Sequence, residues 1–488
     1  MVLARKIAYN VVLNSFLKVT STVVLSLLSI RLMTGYLGQE GFGKYATILA
    51  FFAFFTALVD LGLGSVTARE ISREGADEGR ILGNVVALRL CSSLILLLVA
   101  PVVILFFDYV PEVKIGILIA ALATVFSTLS FVLNAIFQKN LAMDKVAMVE
   151  FLGKIFQVGL IVLIVHQDWG FLPIACTLIV SLSFNAVTAF LLSRRYATFR
   201  LRFEFAYWKE FLGHSLPMGI TAIITFAYFK MDTILLSVLQ SNAHVGIYNV
   251  AYKIMENLIF FPAMLAGLIL PLLSRFIFTE RERFNEIANK TFKVFFIIIV
   301  PIVVGTWFLA PDIIAIVSGT GFQESARVLR ILIFALAFIF FGSYFNMLLV
   351  VGNAQKKLMQ TLVYAAIFNI SLNLLLIPRY SYLGSASTAL MTEAFVVCLT
   401  GFLTYRYVKY VPSMENMWRV VVAGGIMALT LALLEPYSFL LSGLVAVVVY
   451  IGMLWLTRAI SPDEIASIFQ KGETPSLSER ERIETIVP

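Results

Sequence analysis

The sequence predicts an all-α polytopic membrane protein with about 14 transmembrane helices. Of its 488 residues, 60% are hydrophobic and only 14% are charged, whereas a soluble domain carries roughly 25% charged residues. The apolar runs are roughly 20 residues long, which suits helices that cross a bilayer and is about twice the length of a barrel strand. One stretch near the amino terminus recurs in weaker form about halfway along the chain, which indicates two related bundles.

The transmembrane helices are predicted from fourteen apolar segments. Their approximate positions are 11–33, 44–64, 82–107, 115–136, 147–165, 172–193, 215–239, 247–273, 292–317, 328–351, 358–377, 384–405, 418–435 and 438–457. If both termini lie in the cytoplasm, the inner connections carry about five times as many Lys and Arg residues as the outer connections. Cytoplasmic loops of membrane proteins show this excess of positive charge. The charge pattern therefore supports this count and predicts cytoplasmic termini.

The recurring stretch begins at Leu37 and reads LGQEGFGKYATILAFFAFFTALVDLGLGSVTAREISRE. Its weaker copy begins at Val245 and reads VGIYNVAYKIMENLIFFPAMLAGLILPLLSRF, so that Gly43 corresponds to Gly246. Each repeat contains six spans, an even number, so both halves enter the membrane in the same direction. They are expected to be related by an axis along the membrane normal, with a central cavity between them.

This repeat defines the predicted domain organisation. Residues 1–195 form an amino-terminal lobe, 196–213 a cytoplasmic interfacial linker, 214–410 a carboxyl-terminal lobe, 411–458 the last two helices, and 459–488 a polar cytoplasmic tail. The linker mixes cations with aromatic side chains, a composition typical of segments that lie along a membrane interface. Two interpretations fit this composition. The segment is either a cytoplasmic connection whose positive charge reflects its side of the membrane, or a segment that binds specific lipids.

Charged residues also occur within the predicted spans, where each costs several kcal/mol unless it is paired or faces water. The basic residues are Lys18, Arg31, Arg89, Lys154, Lys230 and Lys253, and the acidic residues are Asp60, Glu150, Asp232, Glu256 and Glu393. Glu150 and Lys154 are spaced to pair on one helix face, as are Lys253 and Glu256.

Two further positions predict contacts outside their own helix. Lys230 and Asp232 are two residues apart and point to different faces, so each is expected to find a partner across helices or to face water. Asp60 lies near the cytoplasmic end of the second span. It is expected to bind Arg69 or Arg73, or to cap the helix end, rather than to contact a substrate.

Three charged residues have no partner nearby in the sequence. Arg89 lies about 10 Å inside its span and is expected to line a water-filled cavity. Arg31 lies near the outer end of the first span, where extension to the interface is the alternative to a cavity position. Glu393 is a candidate for ion or proton coupling, with a structural ion pair as the alternative.

Several functional classes lack their characteristic residues in this sequence. The three cysteines lie within apolar runs and the three histidines are far apart, so no disulfide framework, metal site or cofactor is predicted. The sequence has no Walker A motif and no recognisable arrangement of a catalytic nucleophile with its activating base. The net charge of +8 follows from the loop asymmetry and predicts no nucleic-acid partner.

Three stretches resemble a known family. The stretch from Leu37 is similar to the amino-terminal signature of polysaccharide exporters of the O-antigen flippase (Wzx-type) group. KMDTILLSVL followed by VGIYNVAYKIMENLIFFP resembles the start of their second lobe, and NLLLIPRYSYLGSASTALMTE resembles their eleventh-to-twelfth-span region. This group belongs to the multidrug/oligosaccharidyl-lipid/polysaccharide exporter superfamily. The resemblance covers nearly the whole chain in order.

The resemblance implies two six-helix lobes around a V-shaped cavity, with extra carboxyl-terminal helices. It implies a transporter rather than an enzyme: a flippase of the plasma (inner) membrane that moves a polyprenyl-diphosphate-linked oligosaccharide to the outer leaflet by alternating access, for surface polysaccharide such as O-antigen and lipopolysaccharide. In this superfamily, cationic residues of the cavity bind the anionic headgroup. The candidates by position are Arg31, Arg89, Lys154, Lys230 and Lys253.

The expected partners are this lipid-linked oligosaccharide, membrane lipids, a coupling proton or sodium ion, and polysaccharide polymerase or assembly proteins. Asp232, Glu256 and Glu393 are the candidate ion-coupling residues. Two alternatives stay open. An ion-coupled drug or metabolite antiporter of the same fold would have a more acidic or aromatic cavity. A non-transporting scaffold of a polysaccharide assembly complex would have all intramembrane charges paired and no wet cavity.

Overall fold

The computed structural model describes residues 20–434 and 438–459, and within these ranges it contains helices and no strand. The α-helices are α1 Ser26–Asp60, α2 Leu63–Ile71, α3 Glu78–Leu105, α4 Pro111–Lys139, α5 Met143–Gln167, α6 Phe171–Ser193, α7 Phe205–Leu239, α8 Asn242–Phe276, α9 Arg281–Ser318, α10 Ser325–Val351, α11 Gln355–Leu403, α12 Met417–Leu433 and α13 Phe439–Leu456. Lys18 and nearly all of the predicted tail lie outside the described residues.

In the described ranges, eleven helices are long and apolar enough to cross a membrane. The helical runs Val23–Asp60 and Gln355–Val408 contain 38 and 54 residues, or about 57 and 81 Å, far more than the ~30 Å hydrocarbon core. Each run contains a non-helical break, at Gly38 (φ 64°) and at Ser381 (φ 51°). Each run therefore supplies two of the predicted spans, and the all-α membrane fold predicted from the sequence is confirmed.

The break in α11 reverses the chain. Asn369 Nδ2 donates a hydrogen bond to Thr392 Oγ1 at 3.4 Å, and the rings of Phe368 and Phe395 lie 4.9 Å apart. The members of each pair are almost equally far from Ser381 along the sequence. The two arms of α11 are therefore antiparallel, as the eleventh and twelfth predicted spans require.

The two glycines that mark the sequence repeat lie where α1 meets α8. A Cβ atom on Gly43 would lie 1.7 Å from the carbonyl oxygen of Asn242, and a Cβ atom on Gly246 would lie 2.2 Å from that of Gln39. Only glycine allows this approach of one backbone to another. The corresponding positions of the two halves thus pack against each other directly.

Helix α7 begins earlier than predicted. The sequence places a linker over 196–213, but α7 starts at Phe205. The reason is packing: Trp208 and Phe211 are buried in a hydrophobic cluster that includes Leu82 and Phe137 of α3 and α4, so this part of the linker is ordered as helix. Further along α7, Tyr228 packs with residues of α11. Helix α7 therefore belongs to both predicted lobes.

The chain divides into two compact units. The first extends up to Ala288 and includes Leu309–Val411; the second comprises Asn289–Phe308 and the described chain from Pro412 onward. Within the second unit, the hydroxyl of Tyr450 on α13 donates a hydrogen bond to the carbonyl of Ile297 at 2.8 Å. The boundaries of the six-helix lobes stay a prediction.

Candidate substrate and ion sites

Two of the predicted cationic residues share one carboxylate. Lys230 on α7 lies 2.5 Å from Glu256 Oε1, and Lys253 on α8 lies 2.6 Å from Glu256 Oε2. The side chains remain partly exposed: Lys230 exposes 21% of its surface, Lys253 27% and Glu256 33%. The ammonium of Lys230 also lies 4.7 Å from the centre of the Tyr252 ring, a cation–π contact. The local pair predicted for Lys253 and Glu256 is therefore present, and Lys230 has its partner on a neighbouring helix.

Lys154 brings a third cation to this group. It lies on α5, half-buried, and its ammonium donates a hydrogen bond to Gln157 Oε1 at 3.1 Å. Lys154 and Lys253 are close enough for their charges to interact, as are Lys253 and Lys230. We name Lys154, Lys230, Lys253 and Glu256 the lysine cluster. It has three positive charges and one negative charge, drawn from both predicted lobes.

Arg89 occupies a different place from the one the sequence suggested. Its side chain is fully buried, with Nη2 at 2.6 Å from Asp60 Oδ1 and Nη1 donating to the Thr128 carbonyl at 3.1 Å. The expectation that Arg89 lines a water-filled cavity is not met in this structure. The reason is the ion pair with Asp60, which compensates the buried charge within the amino-terminal lobe.

Asp60 also caps the turn after α1. Its carboxylate accepts hydrogen bonds from the backbone N–H groups of Gly62 at 3.2 Å and Gly64 at 3.3 Å. Its ionic partner is Arg89 rather than either of the predicted arginines, since Arg69 and Arg73 both pair with Glu70. Asp60 therefore binds the turn and the start of α2 rather than the end of its own helix, and its predicted ion pair is corrected.

Arg31 lies at the end of another helix. Its side chain is exposed, and Nη1 donates to the Ala315 carbonyl of α9 at 3.4 Å. The carboxyl-terminal end of a helix carries unpaired carbonyl groups and attracts cations. Nearby, Gln39 Nε2 donates to the Gly321 carbonyl at 2.5 Å. Arg31 and Gln39 thus link α1 of one predicted lobe to the end of α9 in the other.

Two of the three candidate ion-coupling residues line one small pocket. Asp232 and Glu393 face a cavity of about 20 Å³, which Asn369 and Thr392 also line. A space of this size holds about one water molecule or small cation. Tyr228 donates its hydroxyl proton to Glu393 Oε1 at 2.5 Å. The third candidate, Glu256, belongs to the lysine cluster instead.

The phenols around these carboxylates were not identified from the sequence. Tyr248 donates a hydrogen bond to Asp232 Oδ2, and Tyr252 donates to the Phe229 carbonyl at 2.6 Å. Tyr248, Tyr252 and Glu256 recur at intervals of four, so they share one face of α8. This spacing was available in the sequence and indicates a polar stripe directed at α7.

The model of the polysaccharide biosynthesis protein family matches residues 32–327. The chain belongs to this family. This polysaccharide biosynthesis protein is 23% identical over 401 residues to the probable low-salt glycan biosynthesis flippase Agl15 of Haloferax volcanii, which covers 78% of the chain and 81% of the relative. It is 24% identical to the probable flippase AglR of the same organism over 215 residues, or 43% of the chain and 45% of AglR. The chain thus aligns with less than half the length of AglR.

The fold is shared with solved structures of membrane transporters. The lipid II flippase MurJ in an inward closed conformation has a TM-score of 0.78 at 16% identity, covering 92% of this chain and 99% of MurJ. An inward-facing multidrug resistance MATE transporter of the MOP superfamily has a TM-score of 0.60 at 15% identity, covering 79% and 93%. The predicted family is confirmed, and the fold agrees with the one that the superfamily prediction implied. Together these findings support a multi-pass membrane transporter of glycan biosynthesis.

Proposed function

We propose that this protein moves a polyprenyl-diphosphate-linked oligosaccharide from the cytoplasmic to the outer leaflet by alternating access. The observation that carries the proposal is the lysine cluster, in which Lys230 and Lys253 lie 2.5 and 2.6 Å from the carboxylate of Glu256 and stay partly exposed, with Lys154 of the other lobe near Lys253. A diphosphate is costly to remove from water, and charge-assisted hydrogen bonds from ammonium groups offset that cost. The polyprenyl tail would stay in the lipid.

The position of the cations on both lobes gives the substrate a means to drive the conformational change. A ligand shifts an equilibrium only if it binds one state more tightly than another. A diphosphate that contacts Lys154 and Lys253 together favours the state in which these residues are close. Glu256 holds Lys230 and Lys253 in place by short ion pairs, and it competes with the substrate for them, which permits release.

The pocket between Asp232 and Glu393 supports ion coupling. Both side chains are buried, and an ion or proton bound there would change the charge enclosed within the membrane. We assign this pocket to a coupling proton or sodium ion. The inner surplus of Lys and Arg supports cytoplasmic termini. With cytoplasmic termini, the break in α1 at Gly38 lies on the outer side.

A drug or metabolite antiporter is the second candidate, and its support is the fold shared with MATE transporters. The lysine cluster argues against cationic drugs, since its net charge is positive. The flippase proposal therefore accounts for more of the charged residues. A non-transporting scaffold does not account for the partly exposed lysines within the spans.

Reconstitution tests the proposal. The purified protein is incorporated in vesicles with a labelled polyprenyl-diphosphate oligosaccharide, and arrival of the label in the opposite leaflet is measured. Replacing Lys154 and Lys253 together by Ala is expected to reduce the transfer rate about tenfold or more. Lys145→Ala is the matched control, because Lys145 lies on the same helix and pairs with Asp144 at 3.1 Å. Equal transfer by the double variant and the control would refute the proposed binding site.

A further inference from the structure

An open cleft of about 370 Å³ lies at one end of the amino-terminal lobe. Its walls come from the break in α1, the start of α4 and the connection between α5 and α6. The lining residues are Tyr36, Leu37, Glu40, Gly41, Lys44, Glu112, Asp168, Gly170 and Phe171. The loop charges predict that all three connections face outward. The volume is near the lower end of the roughly 300–1,000 Å³ found for small-molecule sites.

The polar groups of the cleft are fixed by one another. Tyr36 donates its hydroxyl proton to Asp168 Oδ1 at 2.6 Å and accepts a hydrogen bond from the backbone N–H of Gly170 at 2.8 Å. Lys44 lies 2.8 Å from Glu112 Oε2 and 3.2 Å from Glu40 Oε1. Because these contacts join separate parts of the chain, the cleft is held open in a defined shape before any ligand arrives.

The charge of the cleft is opposite to that of the lysine cluster. The cleft is lined by three carboxylates, of Glu40, Glu112 and Asp168, and by one ammonium group, of Lys44, so phosphate and acidic sugars are repelled. Carboxylates are strong acceptors for hydroxyl donors, and the rings of Tyr36 and Phe171 offer apolar surface beside them. We propose that this cleft binds non-acidic sugar units, neutral or amine-bearing, of the transported glycan. The proposal rests on the proposed function for the identity of that glycan.

The spacing of the two sites suits one elongated ligand. Lys154 lies within α5, and Asp168 directly follows the last residue of this helix. The distance between them along the helix is about 21 Å at 1.5 Å per residue. A glycan that binds at both sites would span a length of several sugar units between its diphosphate and the cleft. The cleft would take the leading sugars on the outer side.

Binding is tested without the lipid, so that the cleft is examined separately from transport. The full-length protein in nanodiscs is titrated with glucose, glucosamine and glucuronic acid, which differ mainly in charge, and saturation-transfer NMR reports binding. Glucose and glucosamine are expected to bind more tightly than glucuronic acid. Asp168→Asn and Tyr36→Phe should each weaken binding about tenfold, the effect of losing one charge-assisted hydrogen bond.

The variants are chosen to keep the fold. Asp168 has a φ of 53°, a conformation that Asn also adopts readily. Asp144→Asn, at the other end of α5, is the matched control and should bind sugars as the unaltered protein does. Equal binding by Asp168→Asn and Asp144→Asn, a preference for glucuronic acid, or no sugar binding at all would overturn the proposal. Loss of binding on addition of EDTA would overturn it in favour of a metal ion.

A further variant separates the two proposals. The Lys154→Ala and Lys253→Ala double variant is expected to keep sugar binding while it loses lipid transfer. Charge-selective sugar binding by a protein that transfers no lipid-linked glycan would leave the cleft assigned and the flippase proposal refuted. Intact lipid transfer by a protein that binds no free sugar would support the flippase proposal and refute the assignment of the cleft.

Discussion

Arg89 Nη2 lies 2.6 Å from Asp60 Oδ1, and this ion pair joins α3 to the end of α1 within the amino-terminal lobe. The Arg89 side chain exposes 0% of its surface and that of Asp60 24%. A guanidinium with no exposed surface cannot contact a substrate in this state. The pair therefore acts on stability, whereas the partly exposed lysines remain accessible.

Replacement of Asp60 by Ala is expected to lower the free energy of unfolding by about 3 kcal/mol, because it leaves Arg89 buried without a counter-ion. The Arg89→Met and Asp60→Ala double variant should recover part of this loss, since the unpaired charge is removed. Thermal unfolding in nanodiscs measures both. If an Arg89 variant keeps its unfolding midpoint but loses lipid transfer, Arg89 acts in substrate binding rather than in stability.

Glu256→Gln removes the only carboxylate of the lysine cluster. The two ammonium groups that it holds then bind an anionic headgroup without competition, so we expect a lower KM for the lipid-linked substrate and slower turnover because release is hindered. Initial transfer rates over a range of substrate concentrations test this. Glu74→Gln, in an exposed loop, should leave both quantities unchanged, and a raised KM in Glu256→Gln would contradict the prediction.

Arg31→Ala should favour a state that is open on the outer side. It removes an exposed hydrogen bond of 3.4 Å to the end of α9, a contribution of about 0.5–1 kcal/mol. Spin labels at Trp169 and Gln323, which are exposed in connections that the loop charges predict to face outward, would report a longer distance in a larger fraction of molecules. Ser72→Ala, on the opposite side, is the control. An unchanged distance distribution would show that Arg31 does not hold the two lobes together.

Much of the fold could be predicted because it depends on local patterns. Apolar runs, loop charges and the Gly43–Gly246 correspondence are all visible in the sequence, and the all-α architecture follows from them. The partner of Arg89 could not be predicted in the same way. Asp60 lies 29 residues away, and only the packing of α1 against α3 decides that it meets Arg89 rather than the arginines nearer to it.

The candidate site was predictable in composition but not in arrangement. Lys253 and Glu256 pair within one turn, so their contact follows from helix geometry. The contact of Lys230 with Glu256, and the approach of Lys154 from α5, depend on how helices of two lobes pack. The sequence does not predict the early start of α7, because the aromatic residues of this segment are typical of a membrane interface, whereas Trp208 is buried at 9% exposure.

Gly43→Ala tests the direct contact between the repeats. The added Cβ would lie 1.7 Å from the Asn242 carbonyl oxygen, and backbone cannot move aside as a side chain does, so α1 and α8 must separate. We expect destabilisation of about 1–3 kcal/mol, measured by thermal unfolding. Gly35→Ala is the matched control on the same helix, because no atom lies within 4 Å of its Cβ position. Equal unfolding midpoints for the two variants would show that the contact is dispensable.

An ion pair that depends on pH joins the start of α7 to α3. Glu204, just before α7, lies 2.5 Å from Arg80 Nη2 and 3.1 Å from Asn84 Nδ2. Hydrogen bonds from Arg80 and then Asn84 hold the pKa of Glu204 below its ordinary value. A carboxyl group whose pKa is lowered on folding stabilises the protein above its unfolded pKa of about 4.3, and this contribution disappears as the pH falls through the lower folded value.

Glu204→Gln is therefore expected to lower the unfolding midpoint at pH 7, with a difference from the unaltered protein that stays constant down to about pH 5 and shrinks below about pH 4. Because the Glu204 side chain is partly exposed to solvent, added salt should reduce the difference at every pH. Glu210→Gln, an exposed carboxylate on the same helix, serves as the control. A difference that grows as the pH is lowered would mean that the interaction with Arg80 does not stabilise the folded state, and that the end of α7 is held by the packing of Trp208 alone.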